Sequence, residues 1–200
     1  MHEESNDTEL RERLSLIEKM IAEGRRTTES WGWTFVLWGV ALYAAFAWSA
    51  VKESAWAWPV TALVAAAATI LIASAKRGGQ PSTSLSRAVG SIWIALGITM
   101  FVLFGGLAVS GRLSDPHVFA AALCAILGLA NGACGLILRW KAQLACGAMW
   151  WLAAVGACFG TDNQSAIVLL AAIFLGQIVF GIYGMIAEAR ARKRRIPAHA

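Results

Sequence analysis

The chain is 200 residues long, 58% hydrophobic and only 14% charged, with a mean hydropathy of +0.60 and a formal net charge of +5. Globular domains carry about 45–50% apolar and about 25% charged residues, so this chain has too little charge to coat a water-soluble fold of its size. The positive balance does not point to nucleic acid, because the basic residues cluster beside apolar runs, where they fix orientation and meet anionic headgroups.

The leader, residues 1–30, is expected to be a cytoplasmic amphipathic segment with a helix from Thr8 to Glu23. Asp7 or Thr8 supplies a cap, Gly24 a stop, and Leu10, Leu14, Ile17 and Ile21 fall on one face at a 4-3-4 spacing. Glu9, Glu12, Glu18 and Glu23 nearly balance Arg11, Arg13 and Lys19, whereas a helix built to lie on anionic lipid is usually rich in Lys and Arg. The apolar row therefore reads as a protein contact: a neighbouring copy, a partner, or the protein's own loops. The leader is too long for the n-region of a signal peptide and the apolar run behind it too long for an h-region, so the first span is expected to be retained.

Six uncharged segments follow, at about 31–50, 56–75, 88–109, 117–138, 142–160 and 165–187. Each approaches the length of about 20 apolar residues that carries a helix across a hydrocarbon core roughly 30 Å thick. The runs are continuous rather than alternating, which favours helices over a barrel. The breaks between them are short and hold the turn and charge signals, so neighbouring spans are antiparallel. If alternate breaks face the same side, all of the 17 Lys and Arg except Lys52 and Arg112 share one side with both termini. The positive-inside rule makes that side the cytoplasm, and a model with one span more or fewer would spoil the alternation. The expected fold class is all-α: a polytopic transmembrane bundle of six helices in three hairpins (31–187), preceded by the cytoplasmic amphipathic helix. A basic cytoplasmic tail (188–200) closes the chain, and its run Arg190–Arg195 is expected to anchor topology and attract acidic lipids.

The chemistry-bearing residues are sparse. No ionisable group sits at depth within the spans, which disfavours a proton-coupled pump or a voltage sensor. His2 and His199 lie in the tails and His117 stands alone at an outer mouth, so no axial pair for haem is in view. Cys124, Cys134, Cys146 and Cys158 lack CxxC spacing and nearby histidine, so they read as packing thiols rather than zinc ligands. No nucleophile–base or carboxylate pair stands out, and the expectation is no catalytic residue, no metal and no cofactor.

Two sets of residues could matter inside the bundle. Gly128, Gly132, Gly156, Gly160 and Gly176 mark expected helix–helix seams, where a missing side chain lets backbones approach. Among the ten tryptophans, Trp31, Trp33, Trp48, Trp56, Trp58 and Trp140 suit an interfacial belt, whereas Trp38, Trp93, Trp150 and Trp151 lie deeper. At a rise of 1.5 Å per residue, Thr69, Asn131 and Gln177 fall roughly 18–21 Å from the outer surface and Trp38, Trp93 and Trp150 roughly 9–14 Å from the inner one. Both sets meet in the cytoplasmic half. They form either a neutral aromatic–amide pocket or, more plainly, a hydrogen-bonded seam with space-filling tryptophans.

The stretch from Arg25-Arg26-Thr27-Thr28-Glu29-Ser30-Trp31-Gly32-Trp33 into Leu37-Trp38-Gly39, with Trp150-Trp151-Leu152 and Gly176-Gln177 later, resembles small six-helix bacterial membrane proteins of uncharacterised activity. That resemblance implies a bacterial inner membrane and no particular reaction. The expected function is a non-catalytic membrane subunit or scaffold that works through helix packing and a protein partner or second copy. A small permease or channel for a neutral or hydrophobic solute is the alternative.

Overall fold

The structure, a computed structural model, describes residues 2–52, 56–76, 84–110 and 115–193. Among these the chain is helical with no strand: α1 (His2–Ser30), α2 (Gly32–Lys52), α3 (Ala57–Lys76), α4 (Ser84–Val109), α5 (Pro116–Ile137), α6 (Lys141–Ala157), α7 (Asp162–Ile173) and α8 (Phe180–Lys193). A π-helical turn at Phe174–Val179 joins α7 and α8 into one rod. Five helices, namely α2, α3, α4, α5 and the α7–α8 rod, are long and apolar enough to cross a membrane. The remaining apolar helix, α6, has 17 residues, which at 1.5 Å each measures about 25 Å. Arg77, Arg112, Arg194 and Arg195, which enter the charge count, lie outside the described residues, as does the tail beyond Lys193.

Helix boundaries follow local chemistry. Asp115 caps α5, its Oδ1 accepting from the backbone N–H of His117 at 2.8 Å, with Pro116 in the first turn where its missing N–H costs nothing. Thr161 and Gln164 form a reciprocal capping box that starts α7 at Asp162, three residues before the expected span. The α5–α6 turn closes with Arg139 in the left-handed region (φ 47°), its N–H donating to Leu136 and that of Trp140 to Gly135 at 2.9 Å. Such a pair of bonds normally ends a helix at glycine; here an arginine occupies the position.

The leader departs from its expected boundaries. Gly24 does not stop α1, which runs on to Ser30. A Cβ at Gly24 would lie 2.8 Å from Leu138 and 2.9 Å from Leu85 side-chain carbons, so the glycine serves a close contact inside the helix. Trp31 alone separates α1 from α2.

The bundle is knitted by glycine seams. In the α5–α6 hairpin a Cβ on Gly147 would meet the Gly132 nitrogen at 2.6 Å, and one on Gly135 the Leu144 nitrogen at 2.5 Å. Across α2 and α8, a Cβ on Gly32 would sit 2.7 Å from the Gly181 carbonyl oxygen, and Gly181 meets Gly32 at the same distance. Backbone touches backbone at both seams. Phe35 then joins three helices, its ring edge-on to Trp93 of α4 (5.1 Å) and Phe180 of α8 (5.2 Å). At the opposite end Trp58 and Phe104 close on Phe119 at 4.5 and 4.9 Å. The outer surface is strongly apolar: Ile94, Ile98, Phe101 and Val102 of α4 are each 60–70% exposed.

Gly147→Leu is expected to lower stability by at least the ~1–3 kcal/mol typical of overpacking, measured by SDS-induced unfolding. Gly97→Leu, in a position with no atom within 4 Å, is expected to be near neutral. Equal effects would contradict the seam.

Candidate functional site

Three places among the described residues carry polar or charged groups in defined geometry: the inside of the bundle, the junction where α1 meets it, and the helix ends joined by His117.

Inside, the six residues expected as one layer fall into separate groups. Trp38 donates its indole N–H to the Thr69 hydroxyl at 3.2 Å, and Thr69 donates onward to the Ala65 carbonyl at 2.7 Å. Trp93 packs on Phe35 instead. Asn131 and Trp150 lie along the α6 packing surface, while Gln177, in the π-helical turn, faces α2. Asn131 backs onto Gly147, Trp150 fits against Gly176, and Gln177 lies beside Gly39 of α2. All three are buried. Asn131 donates to the Leu127 carbonyl at 2.9 Å within its own helix.

The π-helical turn interrupts the regular backbone ladder, and side chains from both neighbours reach carbonyls in and beside it. Tyr43 of α2 donates its hydroxyl to the Leu170 carbonyl at 2.8 Å, and the Cys146 thiol of α6 approaches the Gly176 carbonyl at 3.7 Å. Turns of this kind are often found at functional sites. The Asn131 amide oxygen, the Trp150 indole N–H and both amide atoms of Gln143 have no hydrogen-bond partner among the described residues. Gln143, fully buried in the first turn of α6, was hidden in the sequence by its place beside the charged break at Arg139–Lys141.

The expected seam glycines also divide. Gly128 and Gly132 seat the Trp151 indole and Gly176 seats Trp150, whereas Gly156 makes ordinary contact with Val168 at 3.6 Å. Gly160 is a turn residue at φ 97°, crowded by Gln164 of the capping box. Its nearest neighbour, Gln164, stands in the first turn of α7, so Gly160 serves the turn into that helix. His117 is not isolated: its Nδ1 lies 2.8 Å from the Ala157 carbonyl and its Nε2 3.0 Å from Asp162, bridging the ends of α5, α6 and α7. Cys124, Cys134 and Cys146 are buried thiols and Cys158 is exposed.

At the junction, the last two turns of α1 lie on α4, α8 and the α5–α6 turn. Thr28 is buried and donates to the Gly24 carbonyl at 3.1 Å. Arg25 donates to the buried Glu29 carboxylate at 3.2 Å and stacks its guanidinium 5.1 Å above the Trp140 ring, an attraction of cation to aromatic face. Trp140 in turn packs against Phe180 and Tyr183 of α8. The other half of α1 makes a different surface. Leu10, Leu14 and Ile17 are 51%, 60% and 53% exposed, and Ile21 is half-buried where the helix reaches the bundle.

Comparison with known protein families, characterised proteins and solved structures finds no match to this chain.

Gly24→Leu is expected to lift α1 from Leu85 and Leu138 while leaving the six apolar helices folded. Limited trypsinolysis should then cut after Arg25 and Arg26 faster than in the parent protein, and an unchanged rate would contradict this docking.

Proposed function

We propose that this is a multi-pass protein of the bacterial inner membrane, with six spans and both termini in the cytoplasm, that works as a non-catalytic membrane subunit or scaffold by presenting α1 to a protein partner or a second copy. The apolar outer surface supports insertion, because soluble proteins rarely expose continuous patches of that kind. The 17-residue α6 lies at the short end of the range of about 17–25 residues for a span. The collection of Lys and Arg on the side of both termini supports the orientation.

The observation that carries the functional reading is the division of α1. One half is fixed to the bundle through Gly24, Thr28, Arg25 and Glu29, while the other holds Leu10, Leu14 and Ile17 uncovered on a charged helix. A row of large aliphatic side chains on a firmly mounted helix suits helix-to-helix docking. A photo-crosslinking residue at Leu14, activated in native membranes, is expected to give a protein adduct whose mass identifies a second copy or another chain. Leu10→Gln with Ile17→Gln should abolish the adduct without disturbing the bundle. Crosslinking to lipid alone would overturn the reading.

The unpartnered polar atoms of Asn131, Gln143 and Trp150 favour a second reading, a small permease for a neutral solute. Flux into proteoliposomes that is lost in Asn131→Leu and Gln177→Leu would support it; folded variants with unchanged flux would end it.

A further inference from the structure

The junction of α1 with the bundle leaves two recesses that share one wall, made of Arg25, Arg26 and Glu29. The first, of about 390 Å³, lies between α1 and the α5–α6 turn and is completed by Ile21, Leu138 and Arg139. The second, of about 540 Å³, lies between α1 and α8 and is completed by Tyr183, Ile186 and Arg190. Four guanidiniums thus border the recesses, against two carboxylates, Glu29 and Glu18.

The carboxylates do not neutralise the arginines. Glu29 is taken by Arg25. Arg26, Arg139 and Arg190 form no ion pair among the described residues. Arg26 therefore borders both recesses without an ion pair, joined by Arg139 over an apolar floor of Ile21 and Leu138 in the first and by Arg190 over one of Tyr183 and Ile186 in the second. Guanidinium matches phosphate oxygens with paired N–H donors, and the floor suits a hydrocarbon chain. A free anion would use the charge and leave the floor uncovered, whereas a lipid uses both.

We propose that this double recess is a seat for an anionic glycerophospholipid of the cytoplasmic leaflet, its headgroup drawn to the shared Arg26 with Arg139 and Arg190 on either side of it, and its acyl chain laid along Tyr183 and Ile186. The assignment rests on the membrane orientation proposed above. Basic recesses between helices on the cytoplasmic side are where such headgroups bind. Because the arginines come from α1, the α5–α6 turn and α8, the bound lipid ties α1 to the bundle. The pose of α1 then depends on the lipid charge of the membrane.

The full chain, reconstituted in nanodiscs of phosphatidylcholine doped with phosphatidylglycerol, is expected to keep phosphatidylglycerol over phosphatidylcholine by about tenfold or more when released for native mass spectrometry. Arg26→Gln, Arg139→Gln and Arg190→Gln together should abolish that preference with helicity unchanged. A charge-matched control, Arg11→Gln with Arg13→Gln and Lys19→Gln, should preserve it. A triple variant as selective as the parent, or a control that also loses selectivity, would overturn the seat. Displacement of the lipid by inorganic phosphate would overturn it in favour of a free-anion site. A chain that stays in water without detergent or lipid would overturn the membrane reading and the seat together; a chain that inserts but shows no preference overturns the seat alone.

Discussion

Backbone contact between helices is the constraint on which the rest of this structure depends. A Cβ on Gly32, Gly181 or Gly147 would meet a main-chain atom of the facing helix first, and there is no room for even a methyl group. In hydrocarbon, burial of apolar side chains drives no association, since lipid tails are as apolar as leucine; close packing and hydrogen bonds have to hold the helices together. In the bilayer location proposed above the seams would meet that need twice, once in the α5–α6 hairpin and once where α2 crosses α8. Their consequences spread outward. Seating Gly32 on Gly181 brings the end of α1 onto α8, and the tight α5–α6 turn places Trp140 where Arg25 stacks on it.

The polar interior follows from the same closeness. With α2 and α6 pressed against the α7–α8 rod, the π-helical turn and the end of α7 meet Gly39 and Tyr43 of α2 on one side and Cys146 and Trp150 of α6 on the other. An irregular stretch of backbone is tolerated in a membrane where protein groups meet its carbonyls. The uncharged character of this interior fits a packed joint that fixes the rod, while the charge of the molecule gathers at the end where α1 sits.

The helices were legible in the sequence because apolar run length and charge alternation are local signals: the expected segments coincide with α2–α6 to within about a turn, while the α7–α8 rod runs six residues past its expected end. Partnering was not legible. Gly32 and Gly181 are far apart in the chain, and no spacing rule pairs them. Gly24 carried an ambiguous signal, since glycine both ends helices and admits close neighbours; the choice was made by Leu85 and Leu138, which are remote in sequence. Gly160 posed the opposite case and proved to be the turn. The π-helical turn has no signature, for Phe174–Val179 reads as one more apolar stretch. The expected layer of tryptophans and amides shared a depth, but depth says nothing about which face of a helix a side chain occupies, so Trp38 with Thr69 and Trp93 with Phe35 formed their own pairs.

The central claim is a six-span bundle whose short α6 crosses the membrane, placing its two ends on opposite sides. In a chain with Cys124, Cys134, Cys146 and Cys158 replaced by alanine, single cysteines at Lys141 and Asp162 report the two ends of α6 to a membrane-impermeant maleimide. The bundle requires that Asp162→Cys label in right-side-out vesicles and Lys141→Cys only in inverted ones. Labelling of both from the same side would show that α6 does not span, and the six-helix topology would fall with it.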